Sequence, residues 1–406
     1  MLLTVIIFYL IATMNHYPEI TLKKGKEISV QRQHHWIFSG AVEDKPENLQ
    51  EGEIVKVLDF QKRFLAIGFY AAGSIMVRMI SFVEVPIRVE FWAEKIQIAL
   101  NLRKETLFLE SAETNAYRLV HGEGDQLPGL IIDIYKHTAI IQAHHLGIHL
   151  QTTQIAEALI KVYGKGLEGV YNKSAATLHS NNSNHEGWVW GQSNQHIMKE
   201  NGHLFEVSWE KGQKTGFFID QRENRLLLAK YSPGKKVLNT FCYSGGFSIY
   251  ALKGGAREVH SVDISPSAID FCKKNLEING FNPSSHPCLV ADVLPYLKNI
   301  PNDFNLIILD PPAFAKNIRS KHKAVQAYKR INSLAIKKIA KGGILFTFSC
   351  SQVIDRELFN HTITSAAMEA GRKVKIIHQL TQGPDHPINI YHQETAYLKG
   401  LVLYIE

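Results

Sequence analysis

The sequence predicts an α/β fold. A mostly parallel, doubly wound sheet fills the C-terminal half, behind a small β-rich module and a mixed central segment. Three observations lead there. From Gly202 onward, apolar strands alternate with helical patterns, which is the rhythm of a parallel sheet. Residues 19–80 instead hold short alternating runs divided by glycines and polar turns. The composition is that of a packed chain: 406 residues, 45% hydrophobic and 20% charged, allow two or three domains and exclude a mostly disordered polymer.

The chain opens on MLLTVIIFYLIATM, which is uncharged but shorter than the about 18–20 apolar residues of a membrane span. No Lys or Arg precedes it and no small-residue cleavage site follows. Met14 is therefore read as the natural start, and residues 1–15 as a mis-assigned start or disordered extension. No other segment reads as a span, so the protein is expected to be soluble and cytoplasmic.

Between residues 19 and 80, EISV, EIVKVLDF, FLAIGFY and IMVRMI read as strands of a small all-β module. Residues 89–110 repeat apolar positions every three or four residues, the signature of an amphipathic helix. LIIDIY and AIIQAHH read as a strand pair, LQTTQIAEALIKVYG as a helix and GLEGVYNK as a strand. The polar stretch 180–186 reads as a loop near a domain boundary. Seven strands then follow at 237–242, 258–264, 288–293, 305–310, 342–350, 373–380 and 397–406.

A net charge of +7 permits a polyanionic partner without requiring one. The four cysteines, Cys242, Cys272, Cys288 and Cys350, form no C-x-x-C pair, so no metal site is expected and the thiols should be reduced.

The residues that carry chemistry fall at strand ends, where ligands bind in such sheets. The first strand of the seven runs into Phe241-Cys242-Tyr243-Ser244-Gly245-Gly246, a turn that lets a ligand approach the backbone but lacks the G-x-G-x-x-G of a dinucleotide cradle. Asp263 ends the second strand, where a carboxylate can accept hydrogen bonds from ribose hydroxyls; Asp292 ends the third, within reach of an adenine edge. Each alone reads as readily as a helix cap. Together with Asp310 at the end of the fourth they suggest a nucleoside ligand held without a phosphate cradle.

Asp310-Pro311-Pro312-Ala313-Phe314 is stiffened by two prolines, and Phe314 offers a stacking face. Cys350 ends the fifth strand, where a thiol faces the crevice rather than the core, and cysteine is a strong nucleophile near neutral pH. The other three cysteines are read as buried. Asp220, Gln221 and Arg222, upstream of the first strand, line a cleft or simply start a helix. Residues 314–341 contain nine Lys or Arg and no acid; beside the crevice this favours contact with a phosphate backbone.

In this order, KTGFFIDQR, VLNTFCYSGGFS, SVDIS, DPPAF and LFTFSCS resemble the S-adenosylmethionine-dependent 23S rRNA cytosine-5 methyltransferases that carry an N-terminal PUA domain. LKKGKEISVQRQHHWIFSGAV is similar to the PUA start, YRLVHGEGDQLPGLIIDIY to the central domain, and Asp385-His386-Pro387 to a late family feature. The resemblance covers roughly residues 20–406.

It implies a PUA-like RNA-binding domain at 16–88, a linker helix with a central α/β domain at 89–198, and a Rossmann-like class I methyltransferase domain with a seven-stranded sheet at 199–406. It implies S-adenosyl-L-methionine as cofactor, with Tyr243, Ser244 and Gly245 along the methionine part, Asp263 on the ribose and Asp292 on the adenine. Phe217, Asp220, Gln221, Arg222, Ile264, Val293 and Asp310 complete the cofactor set. Cys350 would be the nucleophile, assisted by Asp310, and Pro311, Phe314, Lys316, Lys329 and Arg330 would face the RNA.

The expected substrate is 23S rRNA or a large-subunit assembly intermediate, with a homodimer left open. Two departures stand out: Pro312 and Ala313 occupy the place of the second cysteine of many RNA cytosine-5 methyltransferases, and Asn239 stands where many methyltransferases carry an acid. The competing readings are methylation of a base nitrogen such as guanine N7, a non-catalytic RNA-binding protein, and a nicotinamide dehydrogenase, the last weakened by the missing G-x-G-x-x-G.

Overall fold

The computed structural model describes residues 17–107, 109, 112–178, 186–315 and 317–406. The expectations for residues 1–15, for 180–185 and for Lys316 lie outside the described residues. The chain divides into two compact units. The first comprises residues 1–196, 208–216 and 384–395; the second comprises 197–207, 217–383 and 396–406.

In the first unit, β1 (Glu19–Leu22), β2 (Trp36–Phe38), β3 (Val42–Asp44), β4 (Ile54–Leu58), β5 (Phe64–Tyr70) and β6 (Ile75–Ser81) form one sheet of order β2-β6-β5-β4-β1-β3. Its alternate residues Ile20, Leu22, Val55, Val57, Val77 and Met79 share one core. The expected strand EISV is instead part of a short helix, α1 (Glu27–Gln31). Ile28 and Val30 alternate as strand residues would, but Val30 is buried while Ile28 is exposed. Glu27 in the first turn also complements the helix dipole.

Helix α2 (Val89–Leu107) turns Trp92, Ile96, Ala99, Leu100 and Arg103 inward at helical spacing. A second sheet of the same unit has the order β11-β10-β9-β8-β7: β7 (Ala116–His121), β8 (Leu130–Tyr135), β9 (Thr138–Ala143), β10 (Gly169–Lys173) and β11 (Glu186–Gly191). Helices α3 (Leu146–Leu150) and α4 (Thr152–Tyr163) connect β9 to β10, and α2 and α4 share a core with the sheet through Trp92, Ile132, Ile141, Ile155 and Leu159.

Buried ions lock the segment around Asp385 into this unit. The Arg103 guanidinium donates two hydrogen bonds to Asp125, at 2.5 and 2.7 Å, one to the Arg118 carbonyl at 2.8 Å and one to the Asp385 carbonyl at 2.9 Å. Arg118 pairs with Asp133 at 2.8 and 2.9 Å, and its own N–H donates to the Asp385 carboxylate at 3.1 Å. A Cβ at Gly124 would lie 2.3 Å from the Pro387 carbonyl oxygen, so only glycine admits that close approach.

In the second unit, β12 (Ile197–Glu200) and β13 (His203–Glu206) form a hairpin. The seven-stranded sheet holds β14 (Lys236–Thr240), β15 (Glu258–Asp263), β16 (Cys288–Val290), β17 (Leu306–Leu309), β18 (Gly343–Ser349), β19 (Val374–Leu380) and β20 (Lys399–Ile405). Its order is β16-β15-β14-β17-β18-β20-β19, and only β20 runs antiparallel, against both neighbours. The helices are α5 (Arg222–Tyr231), α6 (Gly246–Lys253), α7 (Pro266–Ile278), α8 (Val293–Asn299), α9 (Lys321–Lys338) and α10 (Arg356–Ala370). The expected α/β architecture is present, and α8 to α10 cover a core built on Leu238, Ile307, Leu309 and Leu345. No helix of the described residues is long and apolar enough to cross a membrane.

Candidate functional site

Strand order reverses beside β14, which pairs with β15 on one side and β17 on the other. Carboxyl ends of parallel strands open a crevice at such a point. After Thr240 the chain turns through three left-handed residues: Phe241 (φ 56°), Tyr243 (φ 46°) and Gly245 (φ 81°). For the two that are not glycine this costs about 1–3 kcal/mol each, a strain typical of functional turns.

Hydrogen bonds hold the turn. Cys242 N–H donates to the Val262 carbonyl at 3.1 Å and Gly245 N–H to the Cys242 carbonyl at 2.8 Å. Asn275 Nδ2 donates to the Ser244 carbonyl at 2.8 Å. A Cβ on Gly245 would lie 2.6 Å from Cys272 Sγ. Asp263 accepts from Tyr243 N–H at 3.0 Å and from Ser265 N–H at 2.9 Å, so its carboxylate is oriented and keeps further lone pairs for a ligand. Ile264 beside it is exposed, 70% of its surface open.

Asp292 lies two residues beyond β16 and caps α8, accepting from Leu294 N–H at 3.0 Å; Val293 is buried behind it. Asn239 faces inward, donating to Ser248 Oγ at 2.8 Å, and that hydroxyl meets Ser261 Oγ at 2.7 Å. The residue in the place of the common acid thus ties β14 to α6 and β15.

On the other side of β14, Asp310 and Pro311 follow β17 and Cys350 follows β18. Ser351 joins these two loops: its Oγ accepts from Ala315 N–H at 3.4 Å and meets the Tyr328 hydroxyl at 3.1 Å. The ring of Phe314, half-buried, packs on Tyr328 with centroids 4.7 Å apart. Cys350 is partly exposed; Cys242 and Cys272 are buried, whereas Cys288, expected to be buried, is partly exposed because short edge strand β16 leaves one side of it open. Burial pushes the Cys242 thiol up, and contact with Cys242 holds Cys272 up further. Cys288, 3.8 Å from Cys272, is raised in turn by that contact, so these three stay protonated.

Three comparisons with known proteins bear on this arrangement. Residues 171–403 match the model of the S-adenosylmethionine-dependent methyltransferase family, and residues 20–82 match that of PUA-like domains. The chain is 37% identical over 394 residues to Ribosomal RNA large subunit methyltransferase I of Aeromonas hydrophila, covering 95% of this chain and 98% of the relative. It belongs to this family of S-adenosylmethionine-dependent methyltransferases. The Vibrio vulnificus relative of the same name is 38% identical over 391 residues, covering 94% of this chain and 98% of its own. The solved structure of SMU.776, complexed with SAH, superposes with a TM-score of 0.81 at 24% identity, over 95% of this chain and 99% of its own, and shows the same fold.

The methyltransferase therefore takes its methyl group from S-adenosylmethionine. The crevice fits that cofactor: an oriented carboxylate at Asp263, a strained turn, and a Ser244 hydroxyl that is buried without a hydrogen-bond partner among the described residues. When bound, the sulfonium supplies an electrophilic methyl.

Other residues singled out in the sequence sit deeper in the methyltransferase unit. Phe217 is buried, its ring 4.8 Å from the Arg225 guanidinium. Asp220 is buried and accepts from the Tyr397 hydroxyl at 2.6 Å; Gln221 accepts from Asn224 at 2.6 Å; Arg222 is buried 3.6 Å from the Glu200 carboxylate. Lys329 on α9 pairs with Glu369 at 2.8 Å, and Arg330 next to it is exposed.

Sequence reasoning missed Lys399. It is 5% exposed, and its ammonium donates to the Ser351 carbonyl at 2.7 Å and the Tyr397 carbonyl at 2.6 Å. Burial lowers its pKa to about 8, against the opposing pull of Cys350. The signal was legible: a lysine inside the apolar strand YLKGLVLYI needs a partner. Glu200 was missed too. Fully buried, it receives Arg225 at 2.9 and 2.8 Å and the Tyr250 hydroxyl at 3.0 Å. Burial works to lower the Arg225 pKa, but Glu200 outweighs it and raises it.

Proposed function

We propose that this methyltransferase methylates C5 of a cytosine in 23S rRNA through a covalent adduct on Cys350. The observation that carries this reading is the place of Cys350: a partly exposed thiol at the carboxyl end of β18, one residue before Ser351, whose hydroxyl meets the loop after Asp310 and whose carbonyl accepts from the Lys399 ammonium. The names of the relatives, which act on large-subunit rRNA, support the substrate class.

Cytosine C5 is a weak nucleophile. The Cys350 thiolate adds to C6, which makes C5 enamine-like and able to take the methyl. A base then removes the C5 proton, the C5–C6 double bond re-forms and the thiolate leaves. Asp310 would hold the N3–N4 edge or favour its protonation, and the base must leave its stack to reach the thiol. Asp263, Asp292 and the 243–245 turn would hold the cofactor, with Phe217, Asp220, Gln221, Arg222, Ile264 and Val293 behind or around it. Pro311, Phe314, Lys316, Lys329 and Arg330 would face the RNA. We divide the chain at 88 and 198 into PUA-like, central and methyltransferase parts, with 208–216 and 384–395 grouped with the first unit. The reaction is assigned to the cytoplasm, on rRNA or an assembling large subunit.

Cys350→Ala is expected to cut methyl transfer by at least about a thousandfold while S-adenosylmethionine binding by calorimetry stays within a few-fold. Unchanged turnover would favour methylation of a ring nitrogen, which needs no thiol. Mass spectrometry of rRNA fragments from cells with and without the gene should show the loss of one 5-methylcytosine. Loss of a methylated guanine instead would sink the cytosine reading.

A further inference from the structure

His392 lies in the 384–395 segment of the first unit and is 1% exposed, yet neither ring nitrogen has a hydrogen-bond partner among the described residues. Leaving a buried polar group unsatisfied costs about 1–3 kcal/mol. The ring is not displaced to solvent; it packs between Trp36 and His34, with centroids 4.4 and 4.5 Å away. Glu394 stands nearby, its carboxylate oxygens 3.7 Å from His392 Nε2 and 3.8 Å from His34 Nε2. One ligand atom from each of the three residues lies within 4.8 Å of the other two.

At 3.7 and 3.8 Å these separations are too long for hydrogen bonds, since a contact of about 3.6 Å is already not one. They suit ligands that share an ion, since two bonds of about 2.1 Å meeting at a tetrahedral angle hold their donor atoms about 3.4 Å apart. His34 Nδ1 lies between the backbone groups of Trp36, 3.3 Å from its carbonyl and 3.2 Å from its N–H. The tautomer that donates to the carbonyl keeps the Nε2 lone pair for an ion, and metal binding would select it. Glu394 is half-exposed, which leaves an open side for a water as fourth ligand.

We propose that His34, His392 and Glu394 form a divalent transition-metal site of the zinc class. Two imidazoles and one carboxylate are the donor set of zinc rather than of magnesium or calcium, which take oxygen ligands. The ion joins residues more than 350 positions apart in sequence, clamping the 384–395 segment to the β2 end of the PUA-like sheet. Its role is structural, because binding to a site absent from the unfolded chain stabilises the folded one.

The test uses the full chain, stripped with a chelator and titrated with Zn2+ against a chromophoric competitor. One equivalent should bind more tightly than about 10 μM and raise the first unfolding transition, whereas Mg2+ should do neither. Co2+ should give the visible bands of a tetrahedral nitrogen–oxygen site without a thiolate charge-transfer band. His34→Gln and Glu394→Gln, at partly exposed positions, should each weaken binding at least about tenfold. His392→Gln should do the same if it folds. Absence of zinc binding by folded protein would overturn the proposal. So would a thiolate band, or unchanged affinity in Glu394→Gln, since either puts the ion elsewhere.

Discussion

Lys399 shows how one buried charge shapes the chemistry around it. Its ammonium donates to two backbone carbonyls, one of them that of Ser351 next in sequence to Cys350, and lies within electrostatic reach of that thiol; a cation so placed favours the thiolate, which is the nucleophile. Lys399→Met should slow alkylation of Cys350 by iodoacetamide at pH 7 by about tenfold, read by mass spectrometry of the labelled peptide. An unchanged labelling rate would remove Lys399 from the site. Gly245 makes the opposite point, a residue that matters for what it lacks. A methyl there meets Cys272 Sγ at 2.6 Å on a backbone with φ 81°, so Gly245→Ala should distort the turn and weaken S-adenosylmethionine binding at least about tenfold by calorimetry.

At the scale of elements, the β12–β13 hairpin of the second unit is joined to α5 and α6 by a buried charge. Glu200 has no exposed surface and pairs with Arg225, with Arg222 3.6 Å away, and removing its charge takes from the buried Arg225 guanidinium the carboxylate that it donates to twice. Glu200→Gln should destabilise the second unit by about 3–5 kcal/mol, seen as a lower denaturant midpoint. A change below about 1 kcal/mol would mean that the pair is replaceable.

The misread segment belongs to this scale too. Five residues with two alternating apolar positions satisfy a strand and one turn of helix equally, and tertiary packing decided for helix by burying Val30 alone of the two. Longer patterns left no such ambiguity. The nineteen residues of α2 repeat their buried positions through five turns, and the spacing alone placed that helix.

For the molecule as a whole, acid should weaken the first unit through its buried histidines. In the first, His145 is buried with its Nε2–H donating to the Pro128 carbonyl at 3.0 Å, and burial lowers its pKa to about 3. Burial also holds His121 well below the usual histidine value, helped by His386 and Arg118. A histidine whose folded pKa lies below its unfolded value of about 6.5 leaves stability intact above pH 6.5 and removes it as pH falls, because the unfolded chain takes up the proton first. The first unit should therefore lose roughly 1.4 kcal/mol per pH unit per such histidine below pH 6.5. Denaturant midpoints measured from pH 7.5 to 5 check this, and a flat profile would show that the two rings are not held neutral.

Strand-end aspartates, the glycine turn after β14 and Cys350 were all legible in the sequence, because alternating βα units dictate which ends of the strands face a ligand; the left-handed backbone of Phe241 and Tyr243 was not. Period and composition likewise determined the α/β class, the seven strands and the β-rich start. Only the tertiary structure decided that Asp385 and His392 belong to the first unit, that Glu200 neutralises Arg225, and that Lys399 stands within electrostatic reach of Cys350. The reason is physical. Periodicity reports which face of an element is buried, whereas the pairing of buried charges depends on contacts between residues far apart in the chain, and no local pattern records those.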